Sequence, residues 1–302
     1  MSDLAFDLDF SAPTDHAVQI SPLVRRIVAG NASPFTFTGT CSYVVGRGTV
    51  AVIDPGPADQ AHLDALIAAV SGETVSHIVV THTHRDHSPG ARALREATGA
   101  PIVGCSPHRA ARQLSDGEAN TMEGSGDVEH RPDEEMREGD TITGPGWSLA
   151  AVETPGHTAN HLAFALAEEE TLFSADHVMA WSTTIVGPPD GSMTAFMASL
   201  EKLRGRSDRI YWPGHGGPVT EPQRFLRALI GHRRAREASI LGRLAAGDRT
   251  IAEIVPAIYP ALKPALIRAA GLSTFAHLED LVTRGLARTE GAPQLDGIYE
   301  PA

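Results

Sequence analysis

Thr81-His82-Thr83-His84-Arg85-Asp86-His87 packs three imidazoles and a carboxylate into six residues, directly after the run Val75-Ser76-His77-Ile78-Val79-Val80. Imidazole and carboxylate are ligands that a borderline ion such as Zn²⁺ accepts, so a strand ending in this cluster predicts a metal site. The bland alternative is a polar loop with chance solvent contacts. Three later segments argue against it: Thr154-Pro155-Gly156-His157, Ser174-Ala175-Asp176-His177 and Trp212-Pro213-Gly214-His215, each following a short apolar run. Pro-Gly before two of the histidines bends the chain sharply and lets backbone approach an ion or substrate. Four strand ends are therefore expected to converge.

The elements that must carry these residues are readable in outline. Cys41 to Val45 and Thr49 to Ile53 flank Gly46-Arg47-Gly48 as a hairpin, closed by Asp54-Pro55-Gly56. His62 to Val70 has amphipathic helical spacing, and Ser88 to Thr98 reads as a helix with Pro89 in its first turn. Residues 115–140, rich in Ser, Gly, Asp and Glu (Asp116, Glu118, Glu123 and Asp127 among them), read as a solvated lid edge or equally as a surface insertion. His161 to Ala167 is a strand. Trp181 to Val186 begins five residues past Asp176, which places Trp181, Thr183 and Thr184 to wall a substrate pocket. Met193 to Leu203 is a core helix.

From Glu221 the chain turns helical, with Phe225, Leu226, Leu229 and Ile230 on an apolar face and Arg224, Arg227, Arg233, Arg234 and Arg236 on a basic one. Thr250 is expected to cap Ile251 to Ile258, and Ser273 or Thr274 to cap Phe275 to Arg284. Leu286 to Thr289 and Gly297 to Glu300 complete a small hairpin, giving a winged-helix shape. Charge changes sign at the same place: residues 1–221 carry 14 Lys and Arg against 29 Asp and Glu (−15), residues 222–302 carry 11 against 8 (+3). Two domains are expected, 1–221 and 222–302.

HxHxDH followed by His, Asp and His in this order resembles the metallo-β-lactamase superfamily of hydrolases. The resemblance implies an α+β chain: a four-layer αββα sandwich with metals in a cleft along one edge, followed here by the winged-helix-like domain. Carried over by position, His82, His84 and His157 would hold one metal, and Asp86, His87 and His215 the other, with Asp176 bridging. Asp54 would support the metal loops from behind, and Asp86 would also hold the attacking hydroxide in line as the catalytic residue. A water shared by two divalent ions ionises near neutral pH, and the ions polarise a carbonyl or phosphoryl oxygen, so no Ser or Cys nucleophile is required. Zinc is the expected ion, with manganese or iron accepted by the same donors. The resemblance makes neither His161 nor His177 a ligand; His177 is expected to pack behind the ligands, and His161 to face the pocket or the core. His16, His62, His77, His108, His130, His232 and His277 carry no supporting pattern.

The segment from His232-Arg233-Arg234-Ala235-Arg236-Glu237 onward is similar to the β-lactamase-like protein 2 group, whose better-studied members are metal-dependent endoribonucleases on single-stranded RNA. Phosphodiester hydrolysis is thereby implied. The acidic first domain and an aromatic content of 5% weigh against tight nucleic-acid binding, and a thioester or other acyl hydrolase of the glyoxalase II type is the alternative. Weak β-lactamase activity is compatible with the fold. Iron oxidoreduction of the flavodiiron kind is disfavoured by His84, where those proteins usually have Glu, and a non-catalytic metal-stabilised module by the full ligand set. The acidic start Met1 to Asp7 and the lack of a spanning apolar run predict a cytoplasmic protein with no membrane partner; Cys41 and Cys105 are expected to be ordinary buried thiols. A homodimer is the commonest arrangement for such a chain.

Overall fold

The computed structural model describes residues 4–115, 118–122 and 124–302; Asp116 and Glu123 of the acidic stretch lie outside them. One sheet has seven strands in sequence order: β1 (Val18–Gln19), β2 (Val24–Val28), β3 (Cys41–Arg47), β4 (Thr49–Ile53), β5 (Thr74–Val80), β6 (Ile102–Gly104) and β7 (Glu134–Glu135). It is antiparallel from β1 to β4 and parallel from β4 to β7. The second sheet runs β12 (Ile210–Pro213), β11 (Thr171–Ala175), β10 (Leu162–Leu166), β9 (Trp147–Glu153), β8 (Thr141–Gly144), parallel only between β11 and β12.

The alternation of side chains across β10 shows how the layers stack. Leu162, Phe164 and Leu166 enter the core between the sheets, with Val44, Ile78, Leu149 and Phe173, and that cluster continues through the first sheet to Leu66 of α1 (Gln60–Ala69) and Leu94 of α2 (Gly90–Thr98). Ala163 and Ala165 face the other way, onto Phe196 and Leu200 of α3 (Met193–Leu203) and Leu226 and Leu229 of α4 (Pro222–Ala245). Helix, sheet, sheet, helix is the resulting order. Both faces of β3 to β5 are buried, which their unbroken β-branched runs require.

Helix α4 spans two cores: Leu226 to Ile230 pack on the sandwich, whereas Ile240 and Leu244 pack with α5 (Ile251–Ile258) and α6 (Ile267–Thr283). Thr250 caps α5 through a reciprocal capping box with Glu253. Strands β13 (Ala287–Thr289) and β14 (Tyr299–Pro301) pair antiparallel to form the wing.

Three expectations are corrected. Ser273 and Thr274 do not start a helix; they are buried in the middle of α6, which begins after a 3₁₀ turn at Pro264–Leu266. Arg233 is not on the solvated basic face of α4 but 3% exposed. The acidic stretch is not uniformly solvated: Asp127 is buried, accepts from Ser88 Oγ at 2.9 Å and pairs with Arg92 at 3.3 Å. Among the described residues, no helix is long and apolar enough to cross a membrane.

Candidate metal centre and substrate cavity

The proposed ligands lie just beyond the carboxyl ends of β5, β9, β11 and β12, with Asp54 beyond β4. Their donor atoms form two groups, His82, His84, His157, Asp176 and Asp86, His87, His215, each within 4.8 Å. His157 Nε2 is 2.9 Å from His84 Nδ1, and His87 Nε2 is 3.3 Å from His215 Nε2. Asp86 Oδ2 stands 3.2 Å from His215 Nε2. Asp176 touches both groups, with Oδ2 3.5 Å from His157 Nε2 and 3.4 Å from His215 Nε2, and Oδ1 3.4 Å from His87 Nε2.

Local backbone aims these groups. Ala175 takes φ 43°, a left-handed conformation costly for a residue with a Cβ, at a register shift between β11 and β12. That turn throws Asp176 into the cleft. Gly214 passes so close beneath that a Cβ there would overlap Asp176 Oδ1 and stand 2.7 Å from His87 Cε1.

Four histidines have their other ring nitrogen engaged: His82 Nδ1 with Thr81 Oγ1 (3.0 Å), His87 Nδ1 with Asp54 Oδ2 (2.9 Å), His157 Nδ1 with the Ile185 carbonyl (2.7 Å) and His215 Nδ1 with that of Gly39 (3.3 Å). Each is thereby oriented with Nε2 toward the cleft. Asp54 also accepts from Thr81 N at 2.8 Å and Thr81 Oγ1 at 2.7 Å, so one carboxylate clamps both ends of the loop.

Two supporting chains went unseen in the sequence. Ser42 Oγ donates to the Asp54 carbonyl and lies 2.8 Å from His62 Nε2, whose Nδ1 is 3.2 Å from Asp15 Oδ1. The order Ser, His, Asp is that of a nucleophilic triad, but Ser42 and His62 are fully buried, so the chain buttresses Asp54. On the other side, His108 Nδ1 is 2.9 Å from Thr83 Oγ1 and its Nε2 3.4 Å from Asp190 Oδ2, while Asn160 Nδ2 donates to Thr83 Oγ1 at 3.0 Å. No spacing links these positions; only the fold joins them.

The donor set fits divalent cations. His82 Nε2 and His84 Nε2 are buried without a hydrogen-bond partner, a costly state for polar atoms unless a cation meets them. Burial, reinforced by neighbouring imidazoles, holds His82 well below the usual histidine range and brings His84 down to about 3, and burial likewise lowers His157, so their lone pairs are free. At His87 and His215 burial opposes charge, but the Asp176 and Asp86 carboxylates outweigh it; His87 is raised well above its ordinary value and His215 to about 9. Without metal, protons on these two rings balance the buried carboxylates.

A cavity of about 650 Å³ opens onto His84, Asp86, His157, Asp176 and His215. Trp181, Thr183 and Thr184 wall it, as do Thr121 and Met122 of the acidic stretch, and Tyr259, Leu262, Leu266 and Leu272 line it from the C-terminal segment. Trp181 is stacked on Phe37 with centroids 4.9 Å apart. Thr184 Oγ1 donates to the Asp176 carbonyl at 2.6 Å. His161 lies behind the centre, its ring 5.0 Å from His82, and faces a second cavity of about 780 Å³. His177 packs on Phe196 at 4.5 Å, away from the cleft.

A sandwich of this kind with two His/Asp clusters at its strand ends defines a metal-dependent hydrolase fold. The sequence model of the metallo-beta-lactamase superfamily matches residues 35–215, and that of the beta-lactamase associated winged helix domain matches residues 250–295. The chain belongs to the metallo-β-lactamase superfamily and is one of its hydrolases. It is 28% identical over 260 residues to the atrochrysone carboxyl ACP thioesterase of Aspergillus fumigatus, spanning 80% of this chain and 74% of that protein. With one of the same name from Paecilomyces divaricatus it shares 27% over 291 residues, 91% of this chain and 83% of the relative. A beta-lactamase domain protein from Burkholderia ambifaria has the same fold, with TM-score 0.79 at 20% identity over 98% of this chain and 97% of that one.

Proposed function

We propose that the chain is a zinc hydrolase of acyl thioesters. The carrying observation is the cavity: the cleft above the candidate ligands is a partly open pocket whose lining is more apolar than polar, with Met122, Met179, Trp181, Leu262, Leu266 and Leu272 beside three arginines, Arg85, Arg233 and Arg268, the form of a pocket for an acyl group. Two relatives named as thioesterases support this reading. The single-stranded RNA reading loses support because Arg233 is withdrawn from the basic face of α4.

In this reading His82, His84 and His157 would hold one cation and Asp86, His87 and His215 a second, with Asp176 within reach of both groups. Divalent ions there supply an ionised solvent nucleophile and polarise the scissile carbonyl. Asp86 lines the cavity, and its carboxylate orients the nucleophile toward the substrate. Asp54 keeps the proton on His87 Nδ1 and thereby presents Nε2 as a ligand. Trp181 and the C-terminal helices exclude bulk water from the acyl group. We place the domain boundary near residue 221, with α4 as the shared strut.

The test is a side-by-side panel on zinc-loaded protein with an acyl thioester, a single-stranded oligoribonucleotide and a β-lactam. Thioester turnover is expected to dominate. Oligonucleotide cleavage with no thioester turnover would overturn the reading.

A further inference from the structure

Helix α4 carries Arg233 into the wall of the substrate cavity, where it is 3% exposed. Some neighbouring charges are matched, Arg234 with Glu201 at 2.9 Å and Glu237 with Arg284 at 2.7 Å. Arg236 instead lies over the Tyr259 ring at 4.0 Å and donates to the Ile258 carbonyl, and Arg268 at the exposed rim of the cavity donates to the Thr121 carbonyl, which leaves Arg233 as the fully buried one of the three. Arg233 has no carboxylate partner among the described residues. Its Nη2 donates to the Thr184 carbonyl, its guanidinium carbon lies 5.0 Å from the Phe196 ring centroid, and its Nε is buried without an acceptor.

Taking a guanidinium out of water is unfavourable unless its charge is met, and burial draws its pKa down to about 10. Holding the Thr184 carbonyl needs only a neutral donor. A fork-shaped cation kept in a cavity with apolar walls is matched instead to a pair of anionic oxygens. The cavity also reaches the candidate metal ligands, so one ligand can touch both ends.

We infer that Arg233 is an anion-binding subsite that receives a carboxylate at the far end of the substrate's acyl group while the scissile carbonyl lies at the metal centre. This rests on the thioester hydrolase reading and narrows its substrate class to acyl thioesters bearing a terminal carboxylate. Leu266, Leu272 and Trp181 take the apolar linker between the two ends.

The experiment compares N-acetylcysteamine thioesters of dicarboxylic and monocarboxylic acids of equal length, from succinyl against butyryl to suberyl against octanoyl, on the zinc-loaded full chain. At the best length the terminal carboxylate is expected to raise kcat/KM by about tenfold to a hundredfold, the worth of a charge-assisted hydrogen bond. R233M should bring that ratio toward one and R233K should keep part of it; a ratio is insensitive to a general loss of activity. Binding of the corresponding non-hydrolysable amides, followed by tryptophan fluorescence, gives a readout independent of turnover. A carboxylate preference in amide binding that R233M removes, with no thioester cleaved, would leave the subsite standing and remove the thioesterase reading. No preference at any length in wild type, or a preference that persists in R233M, overturns the subsite. If R233M does not fold, the wild-type ratios and R233K decide.

Discussion

Gly214→Ala tests whether the cleft is built around Asp176. The added Cβ would overlap Asp176 Oδ1 and stand 2.7 Å from His87 Cε1, about 0.8 Å short of the ~3.5 Å that two carbons accept. Neither neighbour can yield freely: His87 Nδ1 is tied to Asp54 at 2.9 Å and Asp176 follows the left-handed Ala175. Overpacking of this kind costs about 1–3 kcal/mol in stability. The larger effect falls on the metal, because the carboxylate that must move contacts both histidine groups; displacing a supporting contact weakens metal binding about 10–100-fold, and displacing a ligand weakens it at least as much. Zinc affinity by chelator competition, zinc content per chain and the thermal midpoint are the measurements. Gly231→Ala is the control, since a Cβ there meets nothing within 4 Å. Zinc binding by Gly214→Ala equal to wild type would show that Asp176 is not a ligand as drawn.

Asp86→Ala should retain zinc on the histidine group yet lose activity by about 100-fold or more; zinc content and kcat are read together, and full turnover refutes the orienting role. His277 is buried against Arg233, Arg236, His232 and Arg284, and burial first, then those charges, bring its pKa down to about 3. A histidine neutral in the fold and titrating near 6.5 when unfolded contributes stability above pH 6.5 that is lost as pH falls toward 3, at about 1.4 kcal/mol per pH unit. Urea titrations at pH 6.5 and 5 should therefore show His277→Phe losing about 2 kcal/mol less than wild type; an equal loss counts against it. Cys41, raised to about 11 by burial, and Cys105, raised well above its ordinary value, should both resist a thiol reagent until unfolding, when both react. Rapid labelling of native protein would contradict their placement.

The positions of the candidate ligands are legible because each stands just past a β-branched or apolar run, where a strand must end and a side chain must point out of the sheet. Their supports were not legible. Asp15, His62 and Ser42 share no period, nor do Asp190, His108 and Thr83, so only tertiary contact makes them chains. Helix α6 is longer than its local sequence suggests: Ser273 and Thr274 have N-cap chemistry, but Ser273 Oγ accepts from Val186 N at 3.5 Å from the helix interior, and packing outweighs propensity.

Arg233 differs from these, because its burial had a signal. Leu226, Leu229, Ile230 and Arg233 follow a spacing of three and four, and Ile240 and Leu244 continue the stripe into the C-terminal core. Residues at that spacing share a helix face whatever their charge, so an arginine in register with a buried apolar stripe must enter the core or a cavity. By residue type Arg233 belongs with the solvated arginines of α4; by position it belongs with the buried leucines. The same geometry brings its guanidinium to the Thr184 carbonyl, while Thr184 Oγ1 holds the Asp176 backbone and the Ile185 carbonyl orients His157. A C-terminal helix thus touches the segment that aims two candidate ligands, and the cavity it helps to line reaches those ligands and carries a buried cation.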